Sequence, residues 1–298
     1  MTTVPEGQTT DAAQRELAAA TLMGAVTLRV GDLDAMTTYY RDAVTLTVLS
    51  EGSGSVVLGR GRQPLVILQH APELKHAGPR SAGLFHTAIL FETKADLAAA
   101  VYSVAARHPG TFTGSSDHLV SQAFYFTDPE GNGIELYWDR ERSEWSWVHG
   151  QVEMATLMLD PNRFLQEHLD EQAVQEVHER PATIGHVHLS VGDTASAREF
   201  YVNRLGFTTT AEFGSQALFV SAGGYHHHMA MNTWGSAGAG KRTTALGLGT
   251  VRIQVPGAED LGELTERLTH FGVDTRDDGR TVTFDDPWLN QIEVSAQV

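Results

Sequence analysis

The 298-residue chain contains no cysteine. That excludes disulfides, thiolate metal sites and cysteine nucleophiles, and it fits a reducing compartment. Basic residues are few: 21 Lys and Arg stand against 37 Asp and Glu, a formal net charge of −16. Such a surface repels phosphate backbones and no basic cluster offsets it, so nucleic acid is not an expected partner. No apolar run approaches the roughly 20 residues that cross a bilayer, so no membrane partner is expected either. The opening segment MTTVPEGQTTDAAQRELAAA has neither a basic start nor an apolar stretch. No secretory signal is visible there, and a cytoplasmic location is the expectation. Against these absences stand 14 histidines, a balance that directs attention to imidazole-based metal binding.

The chain suits two domains of about 150 residues each, and it repeats itself. AVTLRVGDLDAMTTYYRDAV from Ala25 and HVHLSVGDTASAREFYVNRL from His186 each read as a strand ending in V-G-D. A helix follows, with a tyrosine (Tyr40, Tyr201) eight residues after the aspartate (Asp32, Asp193). GLFHTAILFETKADL from Gly83 and GLGTVRIQVPGAEDL from Gly247 form a second pair, strand then amphipathic helix. FTDPEGNGIE (Phe126 to Glu135) matches FDDPWLNQIE (Phe284 to Glu293) position for position. The pattern predicts an α+β chain of four β-α-β-β-β modules, over 23–73, 83–140, 183–233 and 246–298. Residues 1–22 read as a mobile arm, 23–140 and 182–298 as two domains of two modules each, and 141–181 as a partly helical connector.

The stretch SDHLVSQAFYFTDPEGNGIELYWDR (116–140) sets two alternating apolar runs around a D-P-x-G turn, a β-hairpin pattern. A surface hairpin has no need of Glu135 between Ile134 and Leu136, nor of His118 just ahead of the first strand.

Paired β-α-β-β-β modules resemble the vicinal oxygen chelate superfamily, which includes glyoxalase I, bleomycin-resistance proteins and type I extradiol dioxygenases. The likeness covers nearly all of the chain beyond residue 22. It implies that modules curl in pairs into two half-barrel cups, with metal ligands on the first and last strands of each module. The first-strand positions are Ala25, His86, His186 and Thr250, and the last-strand positions include Glu135 and Glu293. Joining modules two and three collects His86, Glu135 and His186, the two-histidine, one-carboxylate set of non-haem Fe(II) oxygenases. Any pairing within one sequence half leaves one histidine and one glutamate per cup. The functional cup is therefore expected to span the halves, with modules one and four forming an empty cup in which Glu293 is structural or salt-bridged. His188 lies on the strand face of His186 and is its rival as ligand. His186 is preferred because it sits seven residues before the V-G-D aspartate, as the ligand does in the resembling families.

Within the superfamily, His118, Phe124, Tyr125, Asp128, Pro129, Gly131 and Glu135 match the signature of extradiol ring-cleavage dioxygenases. Ser116 is a departure, since the family usually has Gly or a few other residues two places before the histidine. The bacterial catechol-2,3-dioxygenase group looks most similar, through GLFHTAIL and GGYHHHMAMN. This resemblance implies His118 and Tyr125 as substrate-binding and catalytic residues, and a histidine of the 226–228 run, on the last strand of module three, as acid–base catalyst. His227 is the candidate, with the register open to His226 or His228. The implied activity is Fe(II)-dependent (Mn(II) as the alternative) cleavage of a catechol by O2 beside the diol, giving a 2-hydroxymuconic semialdehyde-type product. The partners are then a catechol-type substrate and O2, and a homo-oligomer is left open. Two alternatives stand beside it: another metal-dependent superfamily enzyme (a glyoxalase-type isomerase or thiol transferase), or a metal-free small-molecule-binding resistance protein.

Overall fold

The computed structural model describes residues 16–297. The first expected module comprises β1 (Leu22–Met23), β2 (Val26–Val30), α1 (Leu33–Thr38), β3 (Thr47–Gly52), β4 (Ser55–Arg60) and β5 (Gln63–His70). The second comprises β6 (Gly83–Phe91), α2 (Lys94–Arg107), β7 (Phe112–Asp117), β8 (Ser121–Thr127) and β9 (Gly133–Asp139). The connector carries β10 (Trp147–Val148), β11 (Gln151–Val152), β12 (Leu157–Met158), α3 (Pro161–His168) and α4 (Glu171–Gln175). The third module comprises β13 (Ala182–Ser190), α5 (Thr194–Arg198), β14 (Thr208–Phe213), β15 (Ala217–Ser221) and β16 (Met229–Asn232). The fourth holds β17 (Gly247–Val255), α6 (Ala258–His270), β18 (Arg276–Asp277), β19 (Thr281–Asp285) and β20 (Gln291–Ala296).

The repeated V-G-D is a helix start. Asp32 accepts from the amide of Ala35 and Asp193 from that of Ser196, capping α1 and α5. Both helices continue as π-helix, over Tyr39–Ala43 and Glu199–Arg204. From these turns Tyr40 and Tyr201 donate to Asp128 and Asp286 at 3.0 Å each. Those aspartates belong to the repeated D-P turns, and each also accepts from two amides of its own turn. The two tyrosines thus bolt module one to module two, and module three to module four.

Apart from the two-stranded pair β10–β11, the strands among the described residues form two nine-stranded sheets, and each takes one module from each sequence half. One has the order β18-β19-β20-β17-β2-β5-β4-β3, with β1 on β17; the other runs β12-β7-β8-β9-β6-β13-β16-β15-β14. Modules two and three therefore share one curled sheet, and modules one and four the other. The main core includes Leu28 and Val251 from one sheet, Ile89 and Leu189 from the other, and Leu97 and Leu264 from the helices. Residues 1–15 of the expected arm lie outside the described residues. Residues 16–22 are tied to the body, with Leu17 donating to the Gly206 carbonyl and Leu22 paired with Gln254. Among the described residues no helix is long and apolar enough to cross a membrane.

The join between modules two and three is the antiparallel pair β6–β13, which has two register shifts. Ile184 pairs with Ile89 and His186 with Ala88, which leaves Gly185 extra; His188 pairs with His86 and Leu189 with Leu84, which leaves Phe85 extra. An extra residue reverses the in–out alternation beyond it. Ile184 and Ile89 consequently face the main core, while His86, His186 and His188 face the concave side. Gly185 has to be glycine, because a Cβ there would strike the Tyr137 hydroxyl.

In the other sheet Arg252 donates to Glu293 at 2.6 Å and also reaches Thr27. Glu293 is thus salt-bridged, and its sheet offers no histidine beside it.

Gly133 begins β9 where it passes β6, and a Cβ there would meet the Phe85 carbonyl oxygen, a backbone atom that cannot swing away. Gly133→Ala is expected to cost roughly 1–3 kcal/mol. Gly262→Ala, on the exposed face of α6 with open space around it, should instead gain up to about 1 kcal/mol from helix propensity. Urea-denaturation midpoints of the two variants against the parent check both signs.

Candidate functional site

Three adjacent central strands each bring one side chain to a common point. His86 comes from β6, Glu135 from β9 and His186 from β13, although His86 and His186 lie 100 residues apart. His86 Nε2 is 2.9 Å and His186 Nε2 3.1 Å from the same oxygen, Glu135 Oε2, and the two nitrogens are 3.4 Å from each other. Side-by-side ligands on an ion with bonds of about 2.1 Å would stand about 3.0 Å apart, so this triangle fits a divalent cation. All three residues are buried, and the three atoms form a cluster able to hold a metal. Burial alone would raise the Glu135 carboxyl, but the imidazoles of His186 and His86 outweigh it and hold it well below the usual carboxylate range. Burial lowers His186 to about 4, against the opposing pull of Glu135. Near neutral pH the carboxylate is ionised and the His186 ring bare, the forms that bind metal. His188 faces the same side, but its Nε2 is 3.0 Å from the Asn232 amide and burial holds its pKa well below the usual value.

The triad lies in the wall of a cavity of about 330 Å³. His118, Tyr125 and His227 line it too, together with Phe85, Val120, Met154, Phe213, Phe219 and Trp234. His118 occupies the turn between β7 and β8. Its Nδ1 is 2.7 Å from the Ala155 carbonyl, which can only accept, so Nδ1 carries the proton and Nε2 accepts from the Tyr125 hydroxyl at 2.7 Å. Burial and the adjacent Glu135 carboxylate push the Tyr125 phenol well up.

The histidine run requires a correction. His226, His227 and His228 do not lie on the last strand of module three. They form the turn that leads into β16, and strict alternation does not order them. The amide and carbonyl of His228 are already used by Val220 and Val187. The three rings take three directions. His226 points at Asp139 (Nε2 to Oδ1, 2.9 Å). The His228 ring accepts from the Ala222 amide, away from the cavity. His227 faces the cavity, its ring 4.1 Å from that of His186. Burial, then His186, keeps the pKa of His227 well below the usual value. In module three the position equivalent to Glu135 is held by Ala230, paired with His188 as Glu135 is with Ala88.

Sequence reading missed Asp139 and Tyr137, although period-two alternation from Glu135 puts both on its strand face. It also missed the aromatic wall. Phe85, Phe213, Phe219 and Trp234 come from four separate segments, with no local pattern to link them.

The fold matches what comparison with known proteins finds. The Glyoxalase/Bleomycin resistance protein/Dioxygenase superfamily model matches residues 22–136 and 183–294, and the chain belongs to that superfamily. It is 35% identical over 272 residues to "Catechol-2,3-dioxygenase" of Bacillus subtilis (strain 168), covering 90% of this chain and 94% of that one. In fold it resembles a proposed dioxygenase from Bacillus subtilis subsp. subtilis str. 168 (TM-score 0.63, 14% identity, 95% of this chain and 86% of that one). It also resembles glyoxalase I from Zea mays (TM-score 0.57, 14% identity, 93% and 92%).

The geometry separates the two candidate strand histidines. Glu135→Ala, with two donors left, is expected to lose most bound divalent metal while keeping its circular-dichroism spectrum. His188→Ala should keep near-stoichiometric metal by elemental analysis. Loss of metal in the second variant and not in the first would move the site to His188.

Proposed function

We propose that the protein is an Fe(II)-dependent extradiol dioxygenase that opens a catechol ring beside the diol. The observation that carries this reading is the set His86, Glu135 and His186 in the wall of a cavity that also presents His118, Tyr125 and His227. The 35% identity to a catechol-2,3-dioxygenase over nearly the full length supports it. Both atoms of O2 enter the product and the electrons come from the substrate, so no reductant is needed. Bound Fe(II), with Mn(II) as the alternative, would supply Lewis acidity and a template for two substrates.

The chain's own groups divide the remaining work. His86, Glu135 and His186 hold the ion. Tyr125, fixed by His118, offers its oxygen to a substrate hydroxyl, and His227 takes a proton from the diol and later returns it. The apolar wall packs the ring and sheds water. A glyoxalase-type reading would call for a second carboxylate from module three, and Ala230 occupies that place.

Among the described residues, the cavity lining contains no Lys or Arg. A charged ring substituent would be buried without a partner, which is costly. Catechol and alkylcatechols are therefore the preferred substrates, and 3,4-dihydroxybenzoate should fall behind by at least about 10²-fold in kcat/KM.

Protein purified without oxygen and loaded with Fe(II) should consume one O2 per catechol and form a yellow ring-opened product. Absence of uptake with every catechol tried would overturn the assignment. His227→Phe should lower kcat by about 10²–10⁴-fold with metal content unchanged. His118→Ala and Tyr125→Phe should act more on KM or on the rate of inactivation during turnover.

A further inference from the structure

His227 is held by a chain of hydrogen bonds that continues away from the cavity. Its Nδ1 is 2.8 Å from Nδ1 of His226, and His226 Nε2 is 2.9 Å from Asp139 Oδ1. The other oxygen, Asp139 Oδ2, accepts from the Tyr225 hydroxyl at 2.7 Å, and that hydroxyl lies 2.8 Å from the hydroxyl of Tyr137. His226 is fully buried, and ring contacts with Tyr225 and Trp145 hold it in place.

The proton positions follow by elimination. A carboxylate only accepts, so His226, as a neutral imidazole, donates from Nε2 and leaves Nδ1 bare. A bare Nδ1 must receive a proton, so His227 donates from its own Nδ1. That leaves Nε2 of His227 as a lone-pair acceptor, on a ring that lines the cavity. Reversing either imidazole would set two lone pairs or two N–H groups against each other across 2.8 Å.

We propose that Asp139 and His226 are positioning residues that fix two imidazole tautomers in series, so that His227 presents a bare Nε2 to a substrate hydroxyl. The arrangement does for His227 what the aspartate of a Ser-His-Asp triad does for its histidine, with one more ring inserted. The proposal rests on the dioxygenase reading for its catalytic meaning, but the tautomers themselves are independent of any reaction.

The test uses Zn(II)-loaded protein with 15N-labelled histidine, since zinc leaves the spectra undisturbed by paramagnetism. Two-bond nitrogen–proton correlations report each ring's tautomer, and His226→Phe and His227→Phe spectra assign the two rings. The parent should show His226 protonated at Nε2 and His227 at Nδ1. His226→Phe removes the acceptor, and His227 should revert towards the Nε2–H form. Asp139→Leu should produce the same reversion, with the Tyr225 hydroxyl still partnered by Tyr137. His226→Asn keeps an acceptor at the Nδ1 position and should retain the parent tautomer of His227. With Fe(II) and catechol, the first two variants should lose at least about tenfold in kcat, towards the ~10⁴ that a wrong tautomer can cost. KM and metal content should stay near the parent's, and His226→Asn should keep most of kcat. A parent His227 protonated at Nε2, or a His227 tautomer indifferent to His226→Phe, overturns the proposal. Should Asp139→Leu fail to fold, the His226 pair decides by itself. Tautomers as expected in a protein that opens no catechol would uphold the relay and sink the dioxygenase reading.

Discussion

Everything at the candidate site depends on one strand pairing, β6 against β13. The two strands come from different halves of the chain, and their hydrogen bonds make one sheet of modules two and three. The irregularities at Gly185 and Phe85 do more than bend the sheet. Each switches which face the following side chains occupy, so a run of core residues can be interrupted by inward-facing histidines without breaking the strand. Tyr137, whose hydroxyl fills the space a Cβ would need at residue 185, locks the first irregularity in place.

Burial makes the resulting triangle chemically committed. An ionised carboxylate without a counter-charge is expensive in an apolar interior, and Glu135 is buried among imidazoles that can neutralise it only by holding protons. Burial works against a proton on His186. A divalent ion relieves both demands together: it compensates the carboxylate and leaves each ring neutral. Around that point the cavity wall is rich in aromatic rings and, among the described residues, holds no Lys or Arg, so the chemistry of a guest is set by the triad and by His118, Tyr125 and His227.

Much of this was legible in the sequence, for reasons that differ by feature. The modules were legible because their signals are local: V-G-D caps a helix, and D-P-x-G builds a turn around its own aspartate. The joining of modules two and three followed from counting ligands, since each half alone holds one histidine and one glutamate at the relevant positions. What stayed hidden depends on direction. A run of three histidines next to a strand reads as alternation, yet the chain turns there and sends the rings three ways. Nothing local shows that His226 meets Asp139, 87 residues earlier. The π-helical turns that aim Tyr40 and Tyr201 at distant aspartates were hidden for the same reason, because a helical repeat does not reveal where a hydroxyl ends.

The pair Arg252–Glu293 in the other sheet has a consequence for the scaffold of the site. It occupies the place that corresponds to Ala88–Glu135, but there the glutamate's counter-ion is part of the polypeptide. That pair is balanced as soon as it folds, with no ion involved. The two sheets share one core, so an ion exchanged at His86, Glu135 and His186 would leave the self-balanced sheet, and the scaffold it supports, in place.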